Sequence, residues 1–383
     1  MNRSIRPIVI SAPAGLIPFT AGEVASLGYT VLWRGESALG IKAGWRDALR
    51  LNLWLRTAHH VFFQLDEFVC RDLDTLYRKV IALPWDSIIA SHGYLSVTAT
   101  VDQPGIRDHR IVNVKCKDAI VDRINRTKGR RPDSGARRDG TVIAVFWKQN
   151  RCTISIDTSG EPLTRRGYRK IPLNAPMQES LAAGVVLATG FSGDEHFINP
   201  MCGSGTLAIE AALIASGKAP GLTRENFGFM HTLLYRQAEW DTLITDARKK
   251  IGGVRGSIIV TDNDPAAVDA TRSNAAAAGV DTCLSLSTGE FETTRIPPGG
   301  TGAVVINPEY GIRLGEERLL VDSYRAIGKF LKQRCAGYRG YVFTGNAKLA
   351  GNVGLKSGRK VPFLNGTIPC RLYEYTLFSG RGK

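Results

Sequence analysis

The string Asn199-Pro200-Met201-Cys202-Gly203-Ser204-Gly205-Thr206 runs without a break into Leu207-Ala208-Ile209-Glu210-Ala211-Ala212-Leu213. Apolar Phe197 and Ile198 lead in, two glycines stand one residue apart, and an uninterrupted helix former follows, so the spacing predicts strand, tight turn, helix. Gly203 and Gly205 let the backbone bend and approach a ligand with no Cβ in the way, and the helix after Thr206 aims free N–H groups at the same space. This is either a nucleotide-cofactor turn or an ordinary strand-to-helix turn. A phosphate-binding loop would end in Gly-Lys-Ser/Thr, and no lysine precedes Thr206-Leu207. A dinucleotide site wants an acid about 20 residues on, at a strand end. Glu225 has that spacing without a strand, and the next convincing strand, Ser257 to Val260, leads only to Asp262. Cys202 reads as a small packing residue in the turn, not a nucleophile.

The chain bounds what such a turn can serve. Its 383 residues, 43% hydrophobic and 22% charged, suffice for two or more globular domains. No run of 18 apolar residues occurs, and the N-terminal stretch is broken by Pro7, Pro13 and Pro18, so a soluble, cytoplasmic protein without membrane contact is expected. Seven cysteines with no C-x-x-C pair argue against zinc and a disulfide framework, and no metal is expected. A formal charge of +15 implies an anionic partner, nucleic acid before membrane, because no basic amphipathic helix stands out.

The elements that must position the turn can be taken in order. Residues 7–12, 30–33 and 35–41 read as strands and 19–27 and 45–55 as helices, a small α+β unit with Trp33, Trp45 and Trp54 in its core. From Phe62 to Thr158 the pattern gives helices over 73–83 and 113–127, a strand over 94–100, and a strand pair, 142–147 with 152–157, turned at Gln149-Asn150. Thirteen Lys and Arg face five Asp between Arg107 and Arg151. Within that stretch, Lys128 to Arg138 is too rich in Gly and Pro for a helix and reads as an exposed loop. Its Lys128, Arg130, Arg131, Arg137 and Arg138 suit phosphate contacts. From Asn174 to Lys383 helices and strands alternate as in a doubly wound α/β sheet, with residues 218–255 as an insertion that delays the second strand. Asp262 then stands at a strand's carboxyl end, placed to accept from ribose hydroxyls, and Asp264 caps the next helix.

Several strings together resemble a known family. They are Lys117-Asp118-Ala119-Ile120-Val121-Asp122-Arg123, then Asp157-Thr158-Ser159-Gly160-Glu161-Pro162-Leu163-Thr164-Arg165-Arg166-Gly167-Tyr168-Arg169, then Ala175-Pro176-Met177-Gln178-Glu179-Ser180, the glycine turn, and Thr344-Gly345-Asn346-Ala347-Lys348-Leu349. Over nearly the whole chain they resemble the THUMP-containing RNA methyltransferases, above all the bacterial group that includes the large-subunit rRNA guanine-N2 methyltransferases. The resemblance implies a ferredoxin-like α+β region (1–61), a THUMP RNA-binding domain (62–160) and a Rossmann-like class I methyltransferase domain (161–383). It implies S-adenosylmethionine as cofactor, with Gly203 and Gly205 under its methionine part and Asn199 at its amino group. Met201, Thr206 and Asn263 complete that site, Asp262 holds the ribose, and Glu290 in Thr288-Gly289-Glu290-Phe291 reads the adenine amine. Arg165 and Arg166 join the basic loop as RNA contacts.

Asn307-Pro308-Glu309-Tyr310, after the buried-type strand Ala303 to Ile306, then gives the cofactor a reaction. An exocyclic base amine is a poor nucleophile because its lone pair is delocalised into the ring. Asn307 Oδ1 and the Pro308 carbonyl can accept its two N–H bonds and draw the nitrogen toward tetrahedral geometry, while Tyr310 stacks on a flipped base. The family has proline where Glu309 stands. Arg313, just behind, is a phosphate contact or a surface charge. The leading reading is guanine-N2 methylation of 23S rRNA. The alternatives are tRNA as substrate, an adenine-N6 DNA methylase, and a non-catalytic RNA-binding or assembly factor. The oligomeric state is not legible.

Overall fold

The computed structural model describes residues 4–106, 108–173, 177–311 and 316–378. Arg107, Ala175-Pro176, Arg313 and the terminal Arg381-Gly382-Lys383 lie outside them. The chain divides into two compact units, one of Met1–Ala12, Thr20–Arg165 and Arg224–Asp246, the other of Pro13–Phe19, Arg166–Thr223 and Ala247–Lys383.

The first unit is built on one eight-stranded sheet. Its strands are β1 (Arg6–Ser11), β2 (Trp33–Arg34), β3 (Ala38–Ala43), β4 (His60–Val69), β5 (Tyr94–Asp102), β6 (Asp133–Ser134), β7 (Thr141–Lys148) and β8 (Arg151–Asp157), in the order β2-β3-β1-β4-β8-β7-β5-β6. No strand is legible at β4 in the sequence. Its residues do not alternate cleanly: Val61, Phe62 and Phe63 are buried in succession, and a bulge between Gln64 and Asp66 shifts the register. Yet β4 is central, pairing antiparallel with β1 through Ile8↔Phe63 and with β8 through Phe62↔Asp157. The break drawn at residues 61/62 therefore falls inside a strand. Trp33, expected in the core, lies on the edge strand β2 and is 48% exposed.

Helices α1 (Ile17–Ser26), α2 (Trp45–Trp54), α3 (Leu73–Ile81) and α4 (His109–Lys128) accompany these strands. Trp45 of α2 sets its ring edge on Phe63, centroids 5.2 Å apart. In α4, Val112, Cys116, Ile120 and Ile124 recur every four residues as a buried stripe. The Asp108 side chain caps its start by accepting from Arg110 N, and Gly129 ends it in the left-handed conformation. Lys128 is thus the last residue of a helix, where the sequence reading had a loop. The β7–β8 hairpin turns at Gln149 (φ 47°) and Asn150 (φ 63°), the two left-handed positions that match the twist of paired strands. Residues 224–246, read from the sequence as an insertion in the C-terminal half, fold with this first unit. Arg224 donates to the carbonyls of Ser159, Glu161, Pro162, Arg165 and Asn226, and Thr141 Oγ1 donates to the His231 carbonyl.

The second unit carries α5 (Glu179–Ala188), β9 (His196–Pro200), α6 (Thr206–Ala215), β10 (Ile258–Asp262), α8 (Pro265–Ala278), β11 (Leu284–Thr288), β12 (Gly302–Ile306), α9 (Glu316–Arg334), β13 (Arg339–Thr344), α10 (Ala347–Asn352), β14 (Lys360–Asn365) and β15 (Ile368–Thr376); α7 (Gln237–Arg248) precedes β10. The sheet order is β11-β10-β9-β12-β13-β15-β14, with β9 to β13 parallel and β15 antiparallel to both neighbours. This is the doubly wound α/β arrangement expected. Tyr324, Ile327 and Leu331 form one stripe of α9 and meet Val304, Ile306 and Val342 in a closed core. Each such side chain removed from water contributes roughly 1.5–3 kcal/mol. From β9 the chain builds β10 and β11 to one side and β12 and β13 to the other, so the strand order reverses between β9 and β12. Such a switch point leaves a crevice at the strands' carboxyl ends. Among the described residues no helix is long and apolar enough to cross a membrane.

Candidate active site

The glycine turn opens at that switch point. Met201 (φ 56°), Gly203 (φ 55°) and Gly205 (φ 78°) are all left-handed, and for Met201, with its Cβ, that conformation costs about 1–3 kcal/mol. Two glycines meet two different needs. A Cβ on Gly203 would meet nothing within 4 Å, so its face is open to a ligand. A Cβ on Gly205 would overlap the Thr271 side chain, so α8 closes against the turn there.

Thr271 and Asn274, two buried polar residues in the alanine-rich α8, are the supports that sequence reasoning missed. Thr271 Oγ1 donates to the Gly203 carbonyl at 2.9 Å. Asn274 Nδ2 donates to the carbonyls of Ser204 (3.2 Å) and Ile171 (3.1 Å), and its Oδ1 accepts from Lys170 N and Ile171 N. Arg169 Nη1 adds a bond to Ser204 Oγ at 3.3 Å. Nothing in the sequence marks them, because a Thr and an Asn three residues apart among alanines show their burial only in the fold. Burial pushes the Cys202 thiol up to about 12, so it stays protonated and inert, as its packing role requires.

Asp262, at the end of β10, accepts from Gly203 N through Oδ2 (2.8 Å) and from Asp264 N through Oδ1 (3.1 Å). Its carboxylate joins two turns and keeps lone pairs on both oxygens for further donors. Asn263 Nδ2 reaches the Glu290 carboxylate at 3.4 Å, and Glu290 follows β11, the parallel neighbour of β10. Gly203, Asp262, Asn263 and Glu290 are thereby gathered at one end of the sheet. Asp264 caps α8 by accepting from Ala266 N.

Two further residues of the expected cofactor set, Asn199 and Thr206, are buried at the two ends of the turn. Asn199 is closed to solvent and its Nδ2 donates to the Val305 carbonyl at 2.9 Å. It ties β9 to β12, while its Oδ1 is buried without a hydrogen-bond partner among the described residues and so keeps an acceptor free for a ligand's amino group. Thr206, buried at the first position of α6, keeps its Oγ1 3.5 Å from Ser204 Oγ, inside the turn.

Asn307 to Tyr310 leave β12 beside this turn, because β12 runs parallel to β9 with Val304 opposite Ile198. Pro308 is buried and the Glu309 side chain points to solvent. The Glu309 carbonyl accepts from the Tyr324 hydroxyl (3.0 Å), itself 2.8 Å from Thr344 Oγ1, and Asn346 Nδ2 donates to the Tyr310 carbonyl (3.3 Å). Tyr310 turns inward: its hydroxyl donates to Asn307 Oδ1 at 2.7 Å and its ring lies 6.2 Å from Phe343. The stacking expected of Tyr310 requires that hydroxyl to leave Asn307.

Residues 166–374 match the family model described as RMKL-like, methyltransferase domain. The chain belongs to this RMKL-like methyltransferase family. Residues 7–62 further match the RlmL ferredoxin-like domain and residues 70–157 the THUMP domain. The RMKL-like chain is 35% identical over 381 residues to the ribosomal RNA large subunit methyltransferase K/L of Syntrophotalea carbinolica, an alignment covering 97% of this chain and 53% of that one. It spans about half the length of the curated relatives it matches. Among solved structures, a possible methylase from Clostridium difficile 630 superposes with a TM-score of 0.87 at 27% identity, covering 99% of this chain and 100% of that one. SMU.472, solved in complex with SAH, gives 0.87 at 25% identity over 100% of both chains.

The basic residues of the RMKL-like chain divide by environment. Lys128 and Arg130 are exposed. Arg131 stands 3.7 Å from Asp122, Arg137 lies 4.4 Å over the Tyr94 ring, and Arg165 pairs with Glu161 at 2.5 Å, all on the surface. Two of the expected RNA contacts are paired with buried acids, Arg138 half-buried and Arg166 internal. Arg138 Nη2 reaches buried Asp157 at 2.9 Å, where His60 Nδ1 (2.9 Å) and Ser159 N (3.1 Å) also converge. Arg166 is 1% exposed, with Nη1 3.2 Å from Glu210 Oε2 on α6, and Tyr168 Oη donates to Glu210 Oε1 at 2.9 Å. Burial, then the Glu210 charge, holds the Tyr168 hydroxyl far above the ordinary tyrosine range.

Proposed function

We propose that this chain is an S-adenosylmethionine-dependent methyltransferase that acts on large-subunit ribosomal RNA and modifies the exocyclic N2 amine of a guanine. The observation that carries it is the neighbourhood at the switch point: an open glycine turn with its acids on one side, and Asn307-Pro308 on the adjacent parallel strand. The name of the Syntrophotalea relative supports the ribosomal RNA substrate, and the SAH held by SMU.472 supports the cofactor.

The residues fit the cofactor. The open face of Gly203, the spare acceptors of Asp262, and Glu290 beside Asn263 offer in turn space, a partner for hydroxyls and a partner for an amine. When bound, the cofactor supplies an electrophilic methyl group on a sulfonium. Everything else falls to the chain. Asn307 Oδ1 and the Pro308 carbonyl accept the two N–H bonds of the base amine, and Tyr310, released from Asn307, covers the base. Holding the amine in line can supply about 7–11 kcal/mol of the barrier. The methylated nitrogen becomes acidic and loses its proton to solvent, so no strong base is required. Glu309 is compatible with this because its side chain faces out and only its carbonyl is used.

Asp262→Ala should abolish the calorimetric heat of S-adenosylmethionine binding, by losing both the hydroxyl partner and the Gly203–Asp264 link; unchanged affinity would remove Asp262 from the site. Nucleoside mass spectrometry of rRNA and tRNA from a deletion strain tests the substrate. Loss of N2-methylguanosine from 23S rRNA is expected, loss from tRNA alone would move the substrate there, and no loss in either would sink the reading. For RNA affinity, the paired change Lys128→Ala and Arg130→Ala should lower the salt slope by about 1–2, each phosphate contact contributing roughly 0.7–0.9. Binding with an unaltered slope would show that these side chains stay solvated.

A further inference from the structure

A pocket of about 520 Å³ lies in the second unit beside the Asn307–Tyr310 loop. Its walls come from the end of β13 (Thr344, Gly345), the first residue of α10 (Ala347), the β14–β15 hairpin, and the Ala14-Gly15 turn. A ladder of rings backs it: Phe19 stacks on Phe363 (5.7 Å), Phe363 meets Phe343 (5.9 Å), and Phe343 meets Tyr310. Pro362, Leu364 and Pro369 give it flat apolar sides, and Arg371 stands exposed on its rim with no ion-pair partner among the described residues.

None of Asn307, Pro308, Glu309 and Tyr310 lines this pocket, so it is not where the amine is held. The two places adjoin, Tyr310 reaching the pocket-lining Cys370 across Gly345. A Cβ on Gly345 would lie 3.4 Å from Tyr310 Cδ2 and 2.9 Å from Ile368 Cγ2, so nothing but backbone fits between Tyr310 and the pocket wall. The pocket is also lined by none of the residues gathered around Gly203 and Asp262. Its volume lies in the range of small-ligand sites, roughly 300–1,000 Å³. Flat apolar walls suit the face of a base, and a single rim guanidinium suits a phosphodiester. The +15 charge of the chain favours such an anionic guest.

We propose that this pocket takes an unpaired nucleotide adjoining the target guanosine, its base between the proline-rich hairpin and Gly345 and its phosphate on Arg371. The inference rests on the proposed function, deepening it from the modified base to the neighbour that fixes its register. A flipped base is held by its own pocket and by its backbone, and a clamp on the next nucleotide limits the sliding that would carry the amine off Asn307.

The test uses the full chain and 23S rRNA transcribed in vitro with 4-thiouridine. After irradiation and trypsin, the crosslink should map to the peptide Val361–Arg371. Ala347→Trp, which fills the pocket, should lose that crosslink. Arg371→Glu should raise KM for the rRNA by about tenfold or more, with kcat and the heat of S-adenosylmethionine binding unchanged; that heat also reports whether either variant is folded. Crosslinks confined to other peptides, or variants with unaltered KM and crosslinking, would overturn the proposal. Pocket crosslinking without methyl transfer by the unaltered chain would uphold the pocket and strike the proposed function alone. Methyl transfer without the crosslink would do the reverse, and an RNA that neither binds nor is methylated would end both.

Discussion

Replacing Asn307 with alanine should lower single-turnover methyl transfer by about 10²–10³-fold, the usual cost of removing one aligned polar group from a reacting centre, while S-adenosylmethionine binds as before. The split follows from where the residue stands. Asn307 leaves β12, whereas Gly203, Asp262 and Glu290 sit on or beside β9, β10 and β11, so the carboxamide can be removed without touching the cofactor turn. What is lost is the acceptor that pulls one N–H of the amine and localises its lone pair. In the resting structure that acceptor is engaged by the Tyr310 hydroxyl at 2.7 Å, so the amine replaces an existing bond and does not enter an empty one. Rapid-quench measurement with labelled cofactor reads the effect; a rate equal to that of the unaltered chain would take Asn307 out of the reaction.

Arg166→Met should destabilise the second unit by about 3–5 kcal/mol, because it leaves Glu210 charged, buried and without its guanidinium. Chemical denaturation followed by circular dichroism measures it. Adding Glu210→Gln should recover most of the loss, since the amide oxygen still accepts from Tyr168 while the uncompensated charge is gone. RNA affinity of the folded variants should not change. Weakened RNA binding at undiminished stability would restore Arg166 to the phosphate contacts expected of it from the sequence.

That residue marks where sequence reasoning reaches its limit. Arg165 and Arg166 are adjacent, identical and basic, yet one is a surface ion pair and the other lies against α6. Nothing local separates them; the acid that draws Arg166 inward stands 44 residues further along the chain, inside a helix that otherwise reads as wholly apolar. Arg138, half-buried, is drawn to Asp157 by the same kind of distant acid. Motifs fared better where the backbone itself is the functional group. The left-handed turn at Gly203 and Gly205, the hairpin at Gln149-Asn150 and the strand ends at Asp262 and Ile306 are written in residue types that few other conformations accept. The side chains that brace the turn, Thr271 and Asn274, were hidden because a polar residue on an alanine-rich helix looks solvated until the sheet covers it.

The position of β4 bears on how the N-terminal half can be cut. Residues 7–62 and 70–157 match two separate family descriptions, yet β4 hydrogen-bonds to β1 of one and β8 of the other. A truncation between them severs a strand at mid-sheet and bares two ladders of unpaired amides, an invitation to aggregate. The two regions are therefore one cooperative block, whose central amides should exchange with solvent only when the whole sheet opens. Residues 224–246 fold with that block as well, so a cut after Asp157 would strip them from it, and a fusion partner placed at residue 62 would be inherited as a broken sheet, not as a spare module.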